Sequence, residues 1–164
     1  MLPQDIETTA EAVIAGAKAA GLMVATAESC TGGLVSGALT AIAGSSAVLD
    51  RGFVTYSNEA KVEMLGVPEV VLARFGAVSE PTARAMAEGA VARSRATASV
   101  SVTGIAGPGG GSADKPVGLV HFAAVDAKGR TVHLEKRFGD MGREAIRLES
   151  VRTALGLLLD AVSQ

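Results

Sequence analysis

A chain of 164 residues with 48% apolar content is expected to fold as one domain over residues 1–164, which excludes a disordered chain. Lysine and arginine total 15 against 17 aspartates and glutamates, so the net charge is −2 with no long run of either sign, and neither nucleic acid nor membrane is expected as a partner. The acidic start MLPQDIETTAEAV lacks the basic segment and apolar run of a secretory signal, no stretch of about 18 apolar residues occurs, and the expected location is cytoplasmic.

Periodicity alternates helix and strand along the chain, with no internal repeat. Residues 5–20 place Ile6, Ala10, Val13, Ile14 and Ala17 on one helical stripe, and Gly21 is a stop signal. Leu22 to Ala27 reads as a short buried strand, and residues 28–33 as a polar loop. Leu34 to Ile42 then suits a helix burying Leu34, Ala38, Leu39 and Ile42. After the break at Gly44-Ser45-Ser46, Gly52 to Tyr56 has strand composition. Asn58 is placed to cap a helix ending at Leu65, a further helical stretch ends at Gly76, and Ser79-Glu80-Pro81 opens a helix to Arg95. Thr97 to Thr103 alternates small apolar and hydroxyl residues as a strand does, and runs into the glycine-dense segment 104–112. Val117 to Asp126 and Thr131 to Phe138 form a hairpin, and Arg143 to Val162 is a long amphipathic helix.

This order indicates an α/β fold, a three-layer α/β/α sandwich with a mixed, mostly parallel sheet. The 30 alanines and 20 glycines allow helices to approach the sheet closely. Ligands in such sheets gather beyond the carboxyl ends of strands, so segments 28–33, 56–61 and 103–112 are expected to meet.

Cys30 is the only cysteine, so no thiolate metal cluster or intrachain disulfide can form, and His121 and His133, the only histidines, leave few candidates for a histidine-rich metal site or a histidine acid/base pair. No metal or cofactor is expected. Both histidines fall inside hairpin strands, where a structural or surface role suits them.

Ser29 lies between a buried strand and a glycine-rich helix start, where the backbone N–H groups of Thr31, Gly32 and Gly33 can face a developing negative charge. It is a nucleophile candidate or a helix cap, and spacing alone favours the cap. It does not fit the G-x-S-x-G elbow. With Asn58 as cap, Lys61 occupies a position near the positive helix end that disfavours a cation. Partial desolvation there would lower its pKa and free its amine as a general base; an exposed lysine screened by Glu59 is the alternative. Tyr56 either positions Lys61 or the substrate, or closes the edge of the core. The glycine loop lacks the lysine of a phosphate-binding P-loop and lets the backbone approach a small ligand, with Thr103 offering a hydroxyl, unless it is a plain surface loop. Ser112-Ala113-Asp114-Lys115 matches S-x-x-K but lacks that motif's companion elements and is discarded.

The run Thr26-Ala27-Glu28-Ser29-Cys30-Thr31-Gly32-Gly33 closely resembles the signature of the CinA C-terminal domain family. Ala43-Gly44-Ser45-Ser46, the block Arg51 to Lys61, Gly76-Ala77-Val78-Ser79-Glu80, and Thr103 to Pro108 resemble the same family in the same order. The resemblance implies a metal-free amidohydrolase that converts nicotinamide mononucleotide to nicotinic acid mononucleotide and ammonia. Carried over by position, it implies Ser29 as nucleophile and Lys61 as base, with Tyr56 and Thr103 as polar partners. Glu28, Cys30, Thr31, Gly32, Gly33, Asn58, Gly104, Ala106 and Gly107 are expected around the substrate. Gly139-Asp140-Met141-Gly142-Arg143 departs from the family's tighter Gly-Asp-Arg, and leaves Arg143 as the candidate for the substrate phosphate. Because related domains also occur fused behind a second domain in longer proteins named for competence and DNA damage, a non-catalytic nucleotide-sensing module is the alternative. A homodimer is expected from the small apolar helix faces.

Overall fold

The computed structural model describes residues 1–164, and its elements follow the hydrophobic patterning closely. Helix α1 (Gln4–Ala20) buries the stripe Ile6, Ala10, Val13, Ile14 and Ala17 and ends on Gly21, whose φ of 68° is the left-handed stop that glycine adopts without strain. Strand β1 (Val24–Glu28) is buried along its whole length. Helix α2 (Leu34–Thr40) is shorter than its apolar pattern suggests and buries Val35, Ala38 and Leu39, leaving Leu34 and Ile42 half-buried.

After a 3-10 turn at Ser45–Ala47 come β2 (Leu49–Val54), α3 (Asn58–Leu65), α4 (Glu69–Phe75), α5 (Glu80–Ala92) and β3 (Ala98–Gly104). The hairpin of β4 (Leu119–Val125) and β5 (Thr131–Arg137) and the long helix α6 (Arg143–Val162) complete the chain. No helix is long and apolar enough to cross a membrane.

The five strands form one mixed sheet in the order β2-β1-β3-β4-β5. Its pairings divide evenly: β1 is parallel to both β2 and β3, and β4 is antiparallel to both β3 and β5. Helices α1, α2 and α6 cover one face, burying Ile6, Val13, Val100, Phe122, Ile146 and Leu155 in the larger core. Helices α3, α4 and α5 cover the other, where Phe53, Leu65, Met86 and Ala87 lie.

The second face shows why so much alanine and glycine is present. The Ser99 and Ser101 hydroxyls donate to the carbonyls of Ala87 and Ala83 on α5 at 2.7 and 2.6 Å, which requires the helix backbone to lie close against β3. At Gly89 an added Cβ would stand 2.0 Å from the Leu65 carbonyl oxygen at the end of α3. Gly89→Ala therefore has opposite local and tertiary effects. Helix propensity favours alanine by about 1 kcal/mol, whereas forcing backbone apart costs about 1–3 kcal/mol. The expected net result is a lower denaturant midpoint at unchanged slope, measured by equilibrium unfolding.

Candidate active site

Because β1, β2 and β3 run parallel, their carboxyl ends open on the same rim of the sheet. The ladder continues to that rim, where Ser29 N–H donates to the Val102 carbonyl at 2.9 Å and Thr55 N–H to the Glu28 carbonyl at 2.8 Å. Strand alternation then sorts the side chains. Glu28 turns toward α2 on the first face, whereas Ser29 turns to the second, toward α3. Thr103 follows Ser99 and Ser101 on that second face, and its hydroxyl donates to the Ala77 carbonyl at 2.8 Å.

Lys61 is 1% exposed and is the largest fully buried side chain in the protein. It is delivered by α3, whose cap is Ser57 rather than the expected Asn58: the Ser57 hydroxyl accepts from Ala60 N–H at 3.0 Å. Asn58 is instead the first helical residue and is exposed, and Lys61 sits one position deeper into the helix than the sequence suggests. Serine and asparagine are near-equal caps, so composition could not separate adjacent candidates.

Lys61 Nζ lies 3.1 Å from Ser29 Oγ, 2.8 Å from the Thr55 carbonyl oxygen and 3.5 Å from that of Tyr56. No carboxylate pairs with it, and burial pulls its pKa below the usual lysine value, opposed by the nearby Cys30. A neutral amine has two N–H groups and one lone pair. In that neutral form, with the two carbonyls taking the N–H groups, the lone pair would face the Ser29 hydroxyl, which is the arrangement a general base requires.

The loop from Ser29 to Gly33 is held from both sides. On one, the Glu28 carboxylate accepts from Thr31 Oγ1 at 2.7 Å, Val35 N–H at 2.9 Å and Ser36 N–H at 3.0 Å, so it caps α2 from seven residues upstream. Glu28 was expected beside the substrate, but these bonds turn its oxygens to the helix. On the other side, Arg147 of α6 donates to the carbonyls of Cys30 and Thr31. Gly32, expected to offer a free N–H, donates it to the Ser29 carbonyl at 3.0 Å, which closes a tight turn. The N–H groups of Cys30, Thr31 and Gly33 find no oxygen acceptor in the protein, and Cys30 and Thr31 are buried. Buried backbone donors without partners are rare, and the one on Cys30, which lines a cavity with Ser29, suits a developing oxyanion.

A cavity of about 270 Å³ opens here. Ser29, Cys30, Tyr56, Lys61, Thr103, Gly104, Ala106, Gly107 and Arg143 line it, as the sequence led us to expect; Glu28, Thr31, Gly32, Gly33 and Asn58 do not. A larger groove of about 650 Å³ between α1, α2 and α6 carries no nucleophile. Tyr56 meets Lys61 only through its carbonyl. Its ring is exposed, and its hydroxyl accepts from Arg143 Nη2 at 3.3 Å, while Arg143 Nη1 donates to the Gly107 carbonyl at 2.7 Å. Arg143 thus joins the β2 end to the glycine loop across the cavity mouth.

The family model described as the CinA C-terminal domain matches residues 6–162. This chain belongs to the CinA C-terminal domain family. A protein of Escherichia coli (strain K12) named nicotinamide-nucleotide amidohydrolase PncC is 50% identical over 159 residues, covering 96% of this chain and 95% of that protein. A protein of the same name from Enterobacter agglomerans is 54% identical over 146 residues, covering 86% and 88%. The crystal structure of competence/damage inducible protein CihA from Agrobacterium tumefaciens has a TM-score of 0.96 and 61% identity, covering 100% of this chain and 99% of that one.

Two features of this CinA domain were not legible in its sequence. Ala77 and Val78, between α4 and α5, complete the cavity wall beside Thr103, and Arg147 holds the Ser29 loop from outside. Neither sits in a polar motif at a strand end. The histidines pair with each other, with His121 Nδ1 2.8 Å from His133 Nε2, and burial lowers both pKa values.

Cys30 lines the cavity next to Ser29, but burial pushes its thiol up to about 11. At pH 7 about one molecule in 10⁴ carries the thiolate, which is the reactive form. Incubation with iodoacetamide at neutral pH is expected to leave Cys30 unmodified in the folded protein, as intact mass would report, and to label it in denaturant.

Proposed function

We propose that this chain is an amidohydrolase converting nicotinamide mononucleotide and water to nicotinic acid mononucleotide and ammonia, with Ser29 as nucleophile and Lys61 as base. The observation that carries this reading is the contact of Lys61 Nζ with Ser29 Oγ at 3.1 Å, buried and without a neighbouring carboxylate. Neutral Lys61 takes the hydroxyl proton as Ser29 Oγ attacks the carboxamide carbon. The carbonyl oxygen becomes an oxyanion and receives the N–H group of Cys30, which lines the cavity. Lys61 returns the proton to the departing nitrogen, the C–N bond breaks, and ammonia leaves an ester on Ser29. Water then gives a proton to the same amine and attacks the ester. As the bond from the acyl carbon to Ser29 Oγ breaks, the amine passes that proton to Oγ, which restores Ser29 and neutral Lys61 and releases nicotinic acid mononucleotide, whose acid proton goes to solvent. Thr103, its hydroxyl proton directed to the Ala77 carbonyl, offers lone pairs to the substrate. Arg143 at the mouth supplies further donors for the phosphate.

Ammonia release from nicotinamide mononucleotide by the purified protein is the test. Ser29→Ala should lower kcat by about 10³-fold or more. Full turnover in that variant would refute the assignment, and tight nucleotide binding without turnover by the parent would favour a sensing module.

A further inference from the structure

The acceptor-free N–H groups of Cys30 and Thr31 share an origin on the far side of the loop. Across a planar trans peptide, the carbonyl of one residue and the N–H of the next point in opposite directions. Arg147 Nε donates to the Cys30 carbonyl at 3.1 Å, and the N–H across that peptide belongs to Thr31. Arg147 Nη2 donates to the Thr31 carbonyl at 3.3 Å, and the N–H across that peptide, on Gly32, donates to the Ser29 carbonyl at 3.0 Å. The N–H across the Ser29–Cys30 peptide is that of Cys30. One guanidinium therefore stands behind both free donors, directly for Thr31 and through one intervening hydrogen bond for Cys30.

We infer that Arg147 is a positioning residue for the amide hydrolysis, fixing the direction of the Cys30 and Thr31 peptide groups and strengthening the Cys30 N–H, the one at the cavity wall, as a donor to the oxyanion. The inference rests on the reading of Ser29 as the nucleophile. A cation on a carbonyl draws electron density from its peptide group and makes the opposite N–H a stronger donor, and a hydrogen bond passes that polarisation to the next peptide. The Arg147 fork is matched to two adjacent carbonyls as a lysine point charge is not. Arg147 lines the groove between α1, α2 and α6 and not the cavity holding Ser29, so it acts through the loop and not by touching substrate. Arg143, one turn earlier on α6, lies on the cavity side. A single helix thus serves both surfaces of the loop region.

The experiment compares Arg147→Met and Arg147→Lys with the parent by two readouts. For Arg147→Met, kcat should fall about tenfold with KM changed by less than about twofold, because the oxyanion exists only after the substrate is bound. Arg147→Lys should fall between the two. In amide-resolved NMR spectra, the Cys30 and Thr31 protons should move upfield in both variants, as hydrogen-bond polarisation is lost. The lysine variant keeps the charge and tests the inference if the methionine variant folds poorly. Parental kcat in Arg147→Met, or unmoved Cys30 and Thr31 amide protons in a folded variant, would overturn it. Absence of ammonia release by the parent would instead strike the proposed function, and the amide shifts would still decide the role of Arg147.

Discussion

Lys61→Met is expected to lower ammonia release from nicotinamide mononucleotide by about 10²- to 10⁴-fold while the chain stays folded, the usual span for loss of a general base. Methionine has nearly the same length and suits the buried channel, so the loss reports the amine rather than a collapse. The pH profile gives an independent check. In the proposed mechanism the active form is the neutral amine, so kcat/KM should rise with pH and level off, with a midpoint below the ordinary lysine value of about 10.4 because burial disfavours the charged form. Stability follows with a defined sign. Between the folded and unfolded pKa values of Lys61 the unfolded chain binds more protons, so raising pH through that window stabilises the parent. Lys61→Met lacks this contribution, and the parent-minus-variant difference in unfolding free energy should increase toward pH 10. A flat difference, or a profile falling with pH, would mean that Lys61 is charged when it acts.

Glu28→Gln should destabilise the fold by about 2–4 kcal/mol, the scale of losing charge-assisted hydrogen bonds and leaving a buried N–H opposed by another donor. The carboxylate accepts from Val35 N–H on one oxygen and Ser36 N–H on the other, and the amide replaces one of those oxygens with an NH₂ group. For a chain of this size the thermal midpoint should drop by about 5–10 °C, seen by calorimetry. Activity should fall along with stability. A raised KM at an unchanged midpoint would mean instead that Glu28 contacts substrate.

The contrast between Glu28 and Ser29 shows what the sequence could and could not disclose. Both stand in one polar run after a buried strand, and that run was enough to mark the place. Strand alternation separates them, sending one side chain to each face, but where the strand ends is least certain in a sequence. Strand ends pointed to Lys61 and Thr103 because parallel order brings such ends together, even though Ser29 and Lys61 are 32 residues apart. Arg147 stayed hidden: its partners lie 117 and 116 residues earlier, and an arginine inside an amphipathic helix has no local mark. The capping error at Asn58 is of another kind, since neighbouring Ser57 has equal local chemistry and only tertiary placement chose between them.

The antiparallel hairpin has a practical consequence. Ser99, at the start of β3, is paired with Val125, so the turn after β4 lies on the rim opposite Ser29. Ala127, Lys128 and Gly129 are exposed there, and an added Cβ at Gly129 meets nothing within 4 Å. A fluorophore or short epitope grafted into that turn would report on the molecule, or tether it to a surface, with the rim that carries Ser29 facing freely outward.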